Sequence, residues 1–266
     1  MWTDVELLFE HTRSRGQEAV TKKFSQWLRN AWSIFHHQPF RRHLYGIMFI
    51  QPYAYICYAD HGCAVYSEPL DFVKNDQQTQ FLINFLTGFI ANPEDRGRDP
   101  TVKKEDRVYI RHAETIWAEL PNGRLYYRPC LVGRNIRVAQ VEEQGNKFLP
   151  KTMMVMKSTW EEKLPPVSSP PSEVEILEIL EANVRGLPQP YALESAIVRN
   201  DDNSEVETRR RLTRILMSYC TPLREAMRNH GPESLMRTIR DAMIVYYETY
   251  KLPESGFIHG GKDFTL

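Results

Sequence analysis

The chain has 266 residues, a mass of 31.2 kDa, 34 basic against 34 acidic side chains and a 42% hydrophobic share. That length holds one large domain or two small ones, and the apolar share excludes wholesale disorder. Charge neutrality excludes the basic footprint of a dedicated nucleic-acid binder, and no apolar run nears the roughly eighteen residues that a membrane span needs.

Strand-like alternation opens the pattern at "VELLFEHT", Val5 to Thr12. No charged leader precedes it, so the chain is expected to be intracellular, cytoplasmic or nuclear, and to begin inside a larger domain. Ala19, Phe24, Trp27, Leu28, Ala31 and Ile34 recur at helical spacing and predict a helix from Gly16 to Gln38. His36-His37 at its end and Arg41-Arg42 after it offer basic character that a solvated loop explains better. "HLYGIMFIQPYAYICYADHGCAVYSEPLDF" predicts two or three strands, with turn residues at Asp60-His61-Gly62. "DQQTQFLINFLTGFIAN" predicts a helix capped by Asp76, with Phe81, Leu82, Phe85 and Phe89 on one face. Asn92 to Asp106 is charged, broken by Pro and Gly, and reads as a loop, so a boundary is drawn near residue 100. The expected organisation is 1–100 as an α/β region and 101–266 as a second unit.

The second unit opens on "RVYIRHAETIWAEL", where Asn122-Gly123 predicts the turn of a hairpin into "RLYYRPCLVG". "NIRVAQVEE" and "KTMMVMKSTW" form a further strand pair around Gln144 to Asn146. "EEKLPPVSSPPS" breaks the pattern, and Ser172 caps a helix through "EVEILEILEANV". "YALESAIV" and "RRLTRILMSYC" are strands, and "TPLREAMRNHG" and "PESLMRTIRDAMIVYYETY" are helices. The fold class is α+β. Cys57, Cys63, Cys130 and Cys220 form no C-x-x-C pair and show no zinc-like spacing; reduced thiols are expected, although Cys57 and Cys63 can face each other across a hairpin.

Strands, a helix, two strands and two helices follow the order of a protein-kinase small lobe (a five-stranded antiparallel sheet plus one helix) and the start of a large lobe. Gly133-Arg134 stands where the phosphate-covering glycine turn belongs, though an ordinary turn has the same residues. Lys157 ends an apolar strand in the V-A-I-K manner; a lysine reaching out of a strand end reads the same. Glu173, Glu175 and Glu178 follow on a helix, and Glu173 is the favoured partner for the Lys157 ammonium, against a solvated acidic face. Tyr219 and Cys220 stand where a backbone would hydrogen-bond an adenine; a buried strand entering a helix demands the same residues.

Several short motifs in one order resemble the fungal-type protein kinase domain family over nearly the whole chain. "ICYADHGCAVYSEPLDF" is similar to a family segment ending in Asp-Arg-x-Gly with a later serine; His61 replaces the Arg, and Ser67 follows. "GRDPTV" resembles its Gly-x-Asp-Pro-Thr, and "LVGRNIRV" its Gly-Arg-x-Thr-x-Val, with Ile136 for the threonine. "MKSTW" and "SEVEIL" resemble its lysine–tryptophan and glutamate segments, without the family's Arg, and "SYCTPL" its Gly-x-Pro-Leu, with Cys220 for the glycine. The resemblance implies ATP and Mg2+ as ligands, phosphotransfer to protein Ser/Thr as the activity, and an unidentified protein partner.

At the end, "FIHGGKDFTL" aligns His259 with the family's catalytic-loop His and Gly261 with its catalytic Asp. A glycine cannot accept the substrate hydroxyl proton. Asp263 lies two residues too late, and "DFT" is too close to His259 to be the metal-binding motif. The expectation is a kinase-like chain truncated at the catalytic loop and inactive, with at most a weak nucleotide site and no protein-held metal. Two other readings stand beside it. One is a pseudokinase or interaction module, on the apolar stripe Met236, Ile239, Met243, Ile244 and Tyr247. The other is an inactive restriction-endonuclease-like remnant, with Asp4, Glu10 and Thr12 at the metal positions and the lysine lost.

Overall fold

Two β-sheets with separate apolar cores organise the chain in a computed structural model that describes residues 2–112, 115–144, 154–162, 190–196, 210–218, 228, 229, 231, 233, 236, 237 and 240. In the first sheet, β1 (Leu7–Thr12) runs parallel to β2 (His43–Ile50), and α1 (Gln17–His37) makes the crossover that a parallel pair requires. β3 (Tyr53–Asp60) and β4 (Ala64–Tyr66) continue the sheet antiparallel, and β5 (Leu70–Asp71) pairs with β3. Successive residues of β2 alternate between two cores. Leu44, Met48 and Ile50 pack with Leu8, Trp27, Ala31, Ile34 and Phe35 under α1. Ile47 and Phe49 pack with Leu82, Phe85 and Leu86 of α2 (Asp76–Ala91). Because both faces are covered, "GIMFI" reads as a continuous apolar run.

Two details of this half differ from expectation. The cap of α2 is Asn75, whose Oδ1 accepts the amides of Gln77 and Gln78 at 3.1 and 3.2 Å. Its extended backbone lets the side chain reach back over the first turn, while Asp76 already lies inside the helix. The inward stripe of α2 contains Leu82 and Phe89, whereas Phe81 lies outside it and is 55% exposed.

The second sheet is antiparallel throughout, ordered β11-β12-β10-β9-β8-β7-β6. Its strands are β6 (Val102–Lys104), β7 (Val108–His112), β8 (Thr115–Arg128), β9 (Ile136–Gln144), β10 (Met154–Glu162), β11 (Pro190–Ala196) and β12 (Arg210–Ser218). It therefore has seven strands where five were expected. One extra edge strand, β6, comes out of the segment expected to be a loop. Asn122-Gly123 is not a hairpin turn. Ile116–Glu119 and Arg124–Arg128 pair with opposite ends of the same strand, β9, so the dipeptide is a bulge inside one long β8. Asn122 takes φ 57°, which asparagine tolerates, and the chain reverses earlier, where His112 pairs with Thr115.

The architecture is α+β. The predicted helix after Ser172 lies outside the described residues, while Arg228, Asn229, Glu233, Met236, Arg237 and Arg240, in the segments predicted as the last helices, have helical backbone. Among the described residues no helix is long and apolar enough to cross a membrane.

Candidate functional site

Lys157 lies in the middle of β10, opposite Val138 of β9 and Ile215 of β12. Strand alternation puts Met154, Met156, Ser158 and Trp160 on one face and Val155, Lys157, Thr159 and Glu161 on the other. The first of these faces is turned to the first sheet. Met154 and Met156 share a core with Phe40, and the Trp160 ring lies 4.5 Å from that of His61. Lys157 thus rises from the opposite face, half-buried, in a row with the fully buried Ile215. Its neighbours across the two ladders, Val138 and Ile215, are apolar, and a lysine ammonium is a compact charge of the kind that meets anionic groups.

The Gly133-Arg134 turn is bonded to β10 at Thr159 and Trp160. The Trp160 amide donates to the Arg134 carbonyl at 2.7 Å, and the Thr159 hydroxyl lies 3.4 Å from the same oxygen. The Gly133 amide donates to the His61 carbonyl at 2.8 Å. Gly133 needs its identity twice over. Its φ is 142°, and a Cβ there would come 2.7 Å from the Cys130 sulfur. The turn is therefore bonded on one side to His61 and on the other to β10, two and three residues beyond Lys157.

Behind β10 and β12 lies a polar joint with the first sheet. His61 is 1% exposed, between the rings of Phe35 at 5.0 Å and Trp160, with Nε2 3.1 Å from the Arg41 carbonyl and 3.3 Å from the Asn135 amide. Burial pushes its pKa down to about 4 against the Arg41 bond and the Asp60 charge, so the ring is neutral. Asp99, from "GRDPT", is 3% exposed. It accepts from Arg42 at 3.2 Å, from the Thr101 amide and hydroxyl at 3.0 and 2.7 Å, and from Arg214 of β12. Burial alone would raise this carboxyl, but Arg214 and Arg42 outweigh it and hold the pKa below its ordinary value.

Arg41 and Arg42 are therefore interior residues, not the solvated loop expected of them. Arg41 is 1% exposed and donates to the Gln38 side chain at 2.8 Å and to the carbonyls of Val5, Arg96 and His43 at 2.8, 2.6 and 3.2 Å. Burial and the nearby Arg98 lower its pKa to about 10, with Glu6 opposing. Its donors tie together three stretches of chain. A pair of adjacent arginines carries no mark of this in sequence.

The carboxylates of the endonuclease-like alternative are engaged locally. Glu10 accepts from Asn30 at 2.6 Å and lies 3.6 Å from the Lys23 ammonium, both on α1. Asp4 accepts from the Thr3 hydroxyl at 2.9 Å, and Thr12 from the Ser14 amide at 3.2 Å. Among the described residues no group of three His, Cys, Asp or Glu side chains is arranged to hold a metal ion. Cys57, Cys63 and Cys130 form no disulfide. Glu173, Glu175, Glu178, Tyr219, Cys220, His259 and Gly261 lie outside the described residues.

Asp99 and His61 carry no chemistry in the sequence analysis beyond their place in family-like motifs. The available signal was an acid followed by Pro-Thr, the pattern of a side chain that caps its own turn. A family model described as fungal protein kinase matches residues 1–246. No curated protein and no solved structure matches the chain.

Proposed function

The chain belongs to the fungal protein kinase family, and from that premise we propose that residues 101–266 form a kinase-like lobe that holds a nucleotide weakly, with Lys157 as the contact to its phosphates. The single observation behind this reading is the position of Lys157. It stands mid-strand between β9 and β12, on the face away from the first sheet, with the Gly133-Arg134 turn bonded to the same strand. A small lobe needs a lysine on an interior strand and a turn at the strand's end. Glu173 is the proposed partner of the ammonium, and the backbone at Tyr219 and Cys220 the proposed adenine contact. Residues 1–100 are read as the family's N-terminal region.

Kinases use ATP with Mg2+, which neutralises charge on the transferred phosphoryl group. Gly261, at the position of the family's catalytic Asp, offers no carboxylate to accept the substrate hydroxyl proton. The proposed activity of this chain is thus nucleotide binding without phosphotransfer to protein Ser/Thr. His259 keeps its loop position without a base beside it.

The test is a pair of measurements on the full chain and on Lys157→Ala. Titration with a fluorescent ATP analogue should give weak binding by the parent chain and none by the folded variant. Incubation with radiolabelled ATP should transfer no phosphate in either. Transfer that disappears in Lys157→Ala would overturn the inactive reading, and a folded parent chain that binds no nucleotide would overturn the site. A second reading, a pseudokinase used as an interaction module, is favoured by Met236, which is helical and 66% exposed. Stable self-association or binding of a hydrophobic dye, lost in Met236→Glu, supports it; a dye-silent monomer counts against it.

A further inference from the structure

We infer that Asp99 is a positioning residue for the Lys157 site: it clamps β12 to the first sheet through Arg214 and so fixes the strand that flanks Lys157. This rests on the reading of Lys157 as a phosphate contact. The geometry begins with one carboxylate that meets three chain segments. Arg42 reaches one of its oxygens at 3.2 Å, Thr101 reaches the same oxygen with amide and hydroxyl, and Arg214 reaches the other. Arg214 is held a second time, by its Nη1 on the Thr101 hydroxyl at 2.9 Å. The segments are themselves joined by backbone, from the Arg42 amide to the Gly97 carbonyl at 2.7 Å and from the Asp99 amide to the Phe40 carbonyl at 3.2 Å.

Arg214 is the residue before Ile215, and Ile215 is the direct partner of Lys157 across the β10–β12 ladder. The clamp therefore grips the back of the strand beside the position whose front faces Lys157 across the ladder. Side chains alternate with period two, so β12 cannot slide along β10 by one residue without turning Arg214 away from Asp99. The setting of Lys157 then depends on how β12 sits, and Asp99 sets that from the far side of the sheet. With the carboxylate neutralised, two buried guanidinium groups lose their shared counter-charge, and the strand loses its anchor.

The experiment uses the full chain, Asp99→Asn, Arg214→Met and the double variant, each verified folded by circular dichroism. Affinity for a fluorescent ATP analogue and amide hydrogen exchange are measured in parallel. Each single variant should weaken nucleotide binding about tenfold, and the loss in the double variant should fall well short of the sum of the single losses, because both singles break the Asp99–Arg214 pair. Exchange should quicken in β10 and β12 and stay unchanged in α2. Wild-type affinity in a folded Asp99→Asn chain, or additive losses in the double variant, would overturn the assignment. If the parent chain binds no nucleotide, the proposed function fails on its own. The exchange data then still decide the clamp, since unchanged or uniformly raised exchange refutes it.

Discussion

Lowering the pH should loosen the joint through His61 before Asp99 responds. The ring is walled by Phe35 and Trp160, and its Nε2 faces the Arg41 carbonyl. Burial lowers its pKa from 6.5 to about 4, although the bond to the Arg41 carbonyl and the Asp60 charge pull the other way; Arg210 adds to the lowering. Between those two values the unfolded chain takes up a proton that the folded chain refuses. Stability therefore falls as the pH drops through this window, is unaffected by His61 above about 6.5, and changes no further below about 4. The linkage amounts to about 2 kcal/mol at pH 5 and about 3 kcal/mol when complete. Asp99 behaves oppositely in range. Its carboxyl is depressed, so its contribution persists down to the ordinary carboxylate region and is lost only below it. Urea unfolding at pH 7.5, 6 and 5, compared between the parent chain and His61→Gln, isolates the effect, because the exposed histidines contribute equally to both. The variant should lose most of the slope. Parallel pH dependence in the two proteins would refute the reasoning.

Three further outcomes are expected. Gly46→Ala should cost about 1–3 kcal/mol in urea unfolding, since a Cβ there would stand 2.0 Å from the Trp27 indole nitrogen and 2.6 Å from the Leu8 carbonyl. Asn75→Ala should cost about 1 kcal/mol and raise exchange in the first turn of α2, by removing the cap on Gln77 and Gln78. Iodoacetamide at pH 8 should modify the partly exposed Cys63 and spare Cys57, whose thiol is fully buried and pushed up to about 12 by burial; peptide mapping reads the difference.

Elements whose cause is local were legible. The stripe of α1, the paired strands of "HLYGIMFI" and "YAYICYAD", and the strands around Lys157 all follow from spacing, which neighbouring residues set. Misreadings came where two local rules compete. Asn122-Gly123 satisfies the rule for a hairpin turn, but β9 is long enough to pair with both sides of it, and pairing along one strand won. "VKK" has too little apolar content to announce a strand, and β7 nonetheless recruits it as an edge.

The amino-acid sequence by itself determined the α+β class, the motif order of the family and the placing of Lys157 on a strand. The tertiary structure alone decided that Arg41 and Arg42 lie inside, that His61 is a neutral packing group, and that Asp99 joins the two sheets. The reason is distance along the chain. Periodicity reports on residues a few positions apart, whereas Asp99 and Arg214 are separated by 115 positions and meet only once both sheets have formed.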